Sequence, residues 1–128
     1  MIITSTLSNF LSNLKNHCLS KKQVLKQKKT KQIIKIVDLL VKEGLLNGYY
    51  LSEDNNINIL LKYDNNQKPV INQIKLISRP GKRVYVKNKW IFKNQKENLF
   101  IISTQKGFLT HIDAQKLNLG GELICKII

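Results

Sequence analysis

The stretch from Leu99 to Ile128 constrains the fold more than any other, because it carries its local signals in an order that few structures satisfy. Leu99–Ile102 is a run of four large apolar residues, long enough for a buried strand and too short for a helix. The next five residues, Ser103-Thr104-Gln105-Lys106-Gly107, offer hydroxyls, an amide, an ammonium and a glycine that lets the backbone approach a ligand. They read as a polar loop. Thr110 followed by Asp113 makes a capping-box-like start, with Asp in place of the usual Glu or Gln, and a helix of about two turns fits His111–Leu117. Gly120-Gly121 reads as the stop of that helix, and Glu122–Ile128 as a strand. Folded back on itself, this unit would let the loop and Glu122 face one partner.

Upstream, apolar residues at Ile3, Leu7, Phe10, Leu11, Leu14 and Cys18 recur at helical spacing, with Thr4 and Ser5 available as caps. Asn9, Asn13 and Asn16 fall on or near the other face, either solvated or touching phosphates. His17 is read as a surface side chain near the helix end. Lys21–Lys31 is the most basic stretch, and Val24-Leu25 within it suggests a short strand that holds lysines beside a sheet. Thr30 caps a second helix with a broad apolar face from Ile33 to Val41, and Gly44 stops it. Three strand-like runs follow, Tyr49–Leu51, Ile57–Tyr63 and Val70–Ile77, separated by turns rich in Asn and Asp. An antiparallel meander is the economical reading.

Ser78-Arg79-Pro80-Gly81-Lys82-Arg83-Val84-Tyr85 is the second informative motif. A Pro-Gly turn gathers Arg79, Lys82, Arg83 and Tyr85 on one corner, and the guanidinium fork suits phosphates and base faces as lysine does not. These are the only arginines in the chain.

Formal net charge is +14, from 22 basic and 8 acidic residues, a field that concentrates polyanions. Nucleic acid and anionic membranes are the candidate partners; no window of about eighteen residues is free of charge, so spanning is not expected. Cys18 and Cys125 are too far apart for a CxxC pair or a zinc set and are expected to be buried thiols. The carboxylates stand mostly in turns or at helix ends, and His111 lacks a placed partner. A magnesium-dependent nuclease, the enzymatic alternative for a small basic protein, therefore finds little support. Phosphate-loop and dinucleotide glycine patterns are missing, so no cofactor, metal or small-molecule substrate is expected.

Residues Ser103, Thr104, Gly107, Thr110, Ala114, Lys116, Leu117, Asn118, Gly120, Gly121, Glu122 and Cys125 fall in register with a known signature. The segment resembles the C-terminal part of the family of the eighth protein of the ribosomal small subunit, with its Ser-Thr-Ser-x-Gly loop, Thr-started helix and Gly-Gly-Glu strand. Gln105 departs from it, replacing the second serine. The same family has a Ser-Arg-Pro-Gly-x-Arg-x-Tyr block where Ser78–Tyr85 stands, and a Ser/Thr-Lys step that maps onto Thr30 and Lys31. Between them, Lys87–Asn98 lacks the family's glycines; Trp90 and Phe92 there suggest a remodelled strand packing locally.

The resemblance implies a structural, non-catalytic ribosomal constituent that binds the central domain of small-subunit RNA, with the fifth small-subunit protein as a neighbour. The expected fold is α+β, with two helices on a small sheet over residues 1–68 and a mostly β subdomain with one short helix over 69–128. RNA contacts are expected from Ser103, Thr104, Gln105, Lys106, Gly107 and Glu122, from Arg79, Lys82, Arg83 and Tyr85, and from Thr4, Asn9, Asn13, Lys28, Lys29, Thr30 and Lys31. Lysine, isoleucine and asparagine are abundant, as in an AT-rich genome, and the first thirty residues show neither arginine nor an apolar leader core. Together with the resemblance, this points to an organelle-encoded protein of the mitochondrial ribosome, with a plastid or an AT-rich bacterial cytoplasm as the alternatives.

Overall fold

The computed structural model describes residues 5–79, 81–87 and 99–128, so Thr4, Pro80, Trp90 and Phe92 lie outside the described residues. The chain forms two compact units, Asn9–Asn72 and Gln73–Ile128, the latter together with the first turn of the first helix. The fold is α+β, as the sequence predicts.

The first unit takes in helix α1 (Ser5–Leu19) from Asn9 onward, β1 (Val24–Lys28), α2 (Lys31–Lys42), β2 (Leu46–Leu51) and β3 (Asn56–Leu61). Phe10, Leu11, Leu14 and Cys18 form the buried stripe of α1, and Ile33, Ile36, Val37, Leu39 and Leu40 that of α2. Each such side chain withdrawn from water contributes about 1.5–3 kcal/mol. The Thr30 hydroxyl accepts from Ile33 N at 3.1 Å and starts α2. The strands form an antiparallel sheet in the order β1-β3-β2, in which Leu25, Ile57 and Ile59 are buried. Of the expected meander only the β2–β3 hairpin is present here, with β1 on its far side.

The second unit is a five-stranded antiparallel sheet of β4 (Ile74–Leu76), β5 (Tyr85–Val86), β6 (Leu99–Thr104), β7 (Gly107–Thr110) and β8 (Gly121–Ile127), with α3 (His111–Lys116) between the last two. The strand expected over Val70–Ile77 contracts to Ile74–Leu76 and belongs to this sheet, with Ile74 opposite Ile127. β8 pairs with β6 along one edge, while β4 and β5 share the other. The register between β6 and β8 slips beside Ile124, whose carbonyl accepts from Ile77 N at 3.0 Å and Ser78 N at 3.3 Å. The bulge thus sits where β4 gives way to the arginine corner. Ile102, Ala114 and Leu123 form the core between sheet and α3, with Ile77, Val84, Val86, Phe100 and Leu109 packed around them.

All three helices among the described residues end in the same way, with one residue in the left-handed region and paired return bonds. For α2 that residue is Gly44 (φ 77), as expected, with Gly44 N to Val41 O at 3.0 Å and Leu45 N to Leu40 O at 2.9 Å. For α1 it is Lys21 (φ 55), and for α3 it is Asn118 (φ 55) rather than the glycine pair. Leu119 N closes α3 on Ala114 O at 2.9 Å before Gly120 is reached. Cys18 and Cys125 are both buried free thiols, and burial pushes the Cys125 thiol up to about 12.

Candidate RNA interface

The stretch read as an open loop is a two-residue hairpin. Ser103 pairs with Phe108 and Thr104 with Gly107, so Ser103 and Thr104 belong to β6 and only Gln105 and Lys106 form the exposed tip. The strand β7 was not expected, because the apolar pair Phe108-Leu109 is too short to show alternation. Thr104 is 4% exposed, and its hydroxyl accepts from Lys106 N at 3.1 Å and donates to Gly107 O at 2.9 Å. Gly107 has φ 102, which lets the chain leave this turn. Thr104 therefore builds the tip from within.

Gly120 and Gly121 admit β8 between its neighbours. A β-carbon on Gly121 would overlap the Ser103 carbonyl oxygen and lie 2.9 Å from the carbonyl carbon; one on Gly120 would lie 2.5 Å from Val86 O. Only glycine allows so close an approach of backbones. The pair, read as a helix stop, has a packing role that depends on residues distant in sequence.

Immediately after it comes Glu122. It stands opposite Tyr85 in the β5–β8 ladder and opposite Ser103 in the β6–β8 ladder. Directly opposed residues share a face, about 4.5–5.5 Å apart between β-carbons. Tyr85, Glu122 and Ser103 therefore form one row across three strands. Tyr85 is 66% exposed, whereas Glu122 and Ser103 are nearly enclosed, so a ring stands beside a polar floor. These residues, with Thr104, Gln105, Gly120 and Gly121, line a depression of about 300 Å³.

The arginine corner leads into the same row. Ser78 is fully buried, and its hydroxyl accepts from Val84 N at 2.9 Å and donates to Val84 O at 3.3 Å. Arg79 and Lys82 exchange backbone bonds, each 2.9 Å. These contacts pinch the base of the corner, leave Arg79, Lys82 and Arg83 exposed, and deliver Tyr85 to its place beside Glu122. Gathering the two motifs on one sheet needs the Leu123 N to Val84 O bond of 2.8 Å as well as the ladders.

In the other unit, Asn9 and Asn13 are exposed on α1, and Asn13 O accepts from His17 Nδ1 at 2.8 Å. Lys28 and Lys31 are exposed; Lys29 is partly buried, its N–H donating to Asn55 O at 3.1 Å. The Thr30 hydroxyl is engaged in the cap of α2. Sequence reasoning left Gly120 and Gly121 out of the site they line, although a glycine doublet before a strand is a visible cue. Among the described residues, no three His, Cys, Asp or Glu side chains gather to hold a metal, and no helix is long and apolar enough to cross a membrane.

Comparison with known proteins agrees over almost the whole length. The profile of the ribosomal protein S8 family matches residues 5–128. Small ribosomal subunit protein uS8 of Blochmanniella pennsylvanica is 35% identical over 130 residues, covering 99% of each chain. The protein uS8m of Acanthamoeba castellanii is 39% identical over 127 residues, covering 96% of this chain and 98% of its own. The protein uS8c of Trieres chinensis is 34% identical over 131 residues, covering 98% and 99%. With the serine-threonine hairpin, the Gly-Gly-Glu strand and the arginine corner joined on one sheet, the chain belongs to the ribosomal protein S8 family.

Proposed function

We propose that this protein is a structural constituent of the small ribosomal subunit that binds and organises the central domain of its RNA during assembly and translation. The S8 family is structural and not enzymatic, and this replaces the nuclease alternative. One observation supports RNA recognition above the rest: the row Tyr85–Glu122–Ser103, with an exposed ring next to an enclosed carboxylate and hydroxyl. A ring stacks on an unpaired base, and a carboxylate accepts from a base amino group. Regular RNA duplex hides its sequence in a deep groove, so an irregular site with splayed bases is the target that such a row can discriminate.

The two units divide the work. Lys28, Lys29 and Lys31, with Asn9 and Asn13, would dock phosphates, whereas Arg79, Lys82, Arg83 and the hairpin tip would frame the bases held at the row. For ~6 neutralised phosphates the salt slope is about −4 to −5 in log-log units, and the recognition component survives added salt. The mitochondrial ribosome is the proposed location, supported by the 39% identity to uS8m. The small subunit's fifth protein is the proposed neighbour.

The deciding experiment measures binding of the purified protein to a central-domain RNA fragment and to a perfect duplex of equal length. Tyr85→Ala and Ser103→Ala are each expected to weaken the fragment about tenfold and leave the duplex unchanged. Equal losses on both RNAs would remove the recognition role. Co-sedimentation with small subunits from fractionated mitochondria tests the location.

A further inference from the structure

The outer face of the three-stranded sheet lies in the other compact unit and takes no part in the hairpin site. Along β1, Leu25 is buried while Val24, Lys26 and Lys28 are exposed, so these three point away from the core. The ladders extend this face across the sheet: Lys26 lies opposite Asn58 and Asn58 opposite Tyr50, while Val24 lies opposite Leu60 and Leu60 opposite Gly48. Two adjacent rows result. One presents an ammonium, an amide and a phenol ring; the other presents two aliphatic side chains, with nothing within 4 Å of where a Gly48 β-carbon would stand. Tyr50 is 54% exposed and Val24 42%, whereas Asn58 forms the floor at 8%.

The aliphatic row opens into a depression of about 390 Å³, lined by Gln23, Val24, Leu60, Tyr63, Asp64 and Gln67 among others. That volume lies within the range of roughly 300–1,000 Å³ typical of small-ligand sites. Three carboxamides, Gln23, Asn47 and Gln67, stand at its wall, and carboxamides pair with base edges. We propose that this face is a second nucleic-acid site, which takes a few nucleotides of single-stranded RNA. One base stacks on Tyr50 above Asn58, the next enters the depression against Val24 and Leu60, and Lys26 and Lys28 hold the phosphates.

The choice of occupant follows from charge and shape. Both cations of the face are lysines aligned on one strand; Asp54 pairs with Lys26 at 2.9 Å with both side chains more than half exposed, and Asp64 stands at the wall of the depression. Solvent screens an exposed pair of this kind, so a phosphate can replace the carboxylate on Lys26. A ring lying open on a sheet binds a base only after that base has left its own stack, which selects single strands over duplex. The face offers two adjacent aliphatic side chains, less apolar surface than the core of a stable protein interface.

The test uses the full-length protein, fluorescein-labelled hexauridylate and fluorescence anisotropy. Tyr50→Ala is expected to weaken binding about 5- to 100-fold, from the loss of one base–ring stack. Tyr50→Phe keeps wild-type affinity. Lys26→Gln lowers the salt slope by about 0.7. Tyr50→Ala leaves the preference for the central-domain fragment over the duplex unchanged, so failure of this site and failure of the hairpin site are separable. Wild-type protein that does not bind hexauridylate, or a Tyr50→Ala variant that binds as well as wild type, overturns the proposal. Loss of a neighbouring protein from reconstituted small subunits as the sole effect of Tyr50→Ala marks the face as a protein seat and also overturns it. Circular dichroism of the variant, altered at an exposed position, confirms that it folds.

Discussion

The backbone carbonyl of Ser103 fills the space that a side chain on Gly121 would need. Gly121→Ala must push β8 away from β6 at the point where Glu122 meets Ser103. Overpacking against backbone is expected to destabilise the fold by about 3 kcal/mol. Gly81, by contrast, has nothing within 4 Å of its β-carbon position, and Gly81→Ala should change stability by less than about 0.5 kcal/mol. Urea unfolding of both variants checks the contrast, and similar midpoints would refute the packing role.

Thr104 serves the hairpin through its hydroxyl, which both accepts and donates across the turn. Thr104→Ala leaves the Lys106 N–H and the Gly107 carbonyl without that partner and should cost about 1–2 kcal/mol. Thr104→Ser keeps the hydroxyl and should recover most of the loss. If the two variants are equally unstable, the methyl group and not the hydroxyl is responsible.

Lys28, Lys29 and Lys31 are assigned to phosphates, so their joint replacement by Gln should flatten the salt dependence of RNA binding. Each lost contact removes about 0.7–0.9 from the slope. Binding measured between low and moderate salt reads this directly. An unchanged slope would leave these lysines as a solvated face.

Lys21 occupies a left-handed position that a β-carbon disfavours by about 1–2 kcal/mol. Lys21→Gly should therefore stabilise the protein by about 1 kcal/mol, net of the entropy that glycine gains in the unfolded chain. Asn118→Gly, at the matching end of α3, should gain less, because Asn tolerates this conformation. Thermal melts of the two variants give the ranking.

Burial holds the Cys125 thiol protonated in the fold, up to about 12, while the unfolded chain ionises it from about pH 9. Above that pH the unfolded state binds fewer protons than the native one, so stability falls as pH rises. The slope from this group is about 1.4 kcal/mol per pH unit until the folded thiol itself ionises. Cys125→Ala should show a shallower alkaline decline than wild type in urea titrations between pH 8 and 11.

Local structure was legible wherever the signals were local. Thr30 and Gly44 bracket α2 at both ends, and Thr110 starts α3. Partnership was harder to read. The apolar run Val70–Ile77 shows an extended segment, yet its pairing with β8 depends on Ile127, more than fifty residues away. Gly120-Gly121 looks like a helix stop until Ser103 and Val86 are brought against it, and Asn118 already ends the helix. The residue types of the site were visible in both motifs. The row that joins them was not, because a ladder register is set by three strands at once.

The divided edge of β8 has an evolutionary corollary. Since β4 and β5 grip the same strand on either side of the bulge at Ile124, and Ser78 ties itself to Val84, the five residues between them hang from a closed clasp. Lengthening or exchanging that appendage need not propagate into the sheet. A lineage could therefore retune what its arginine-bearing tip touches while inheriting the scaffold beneath it unaltered.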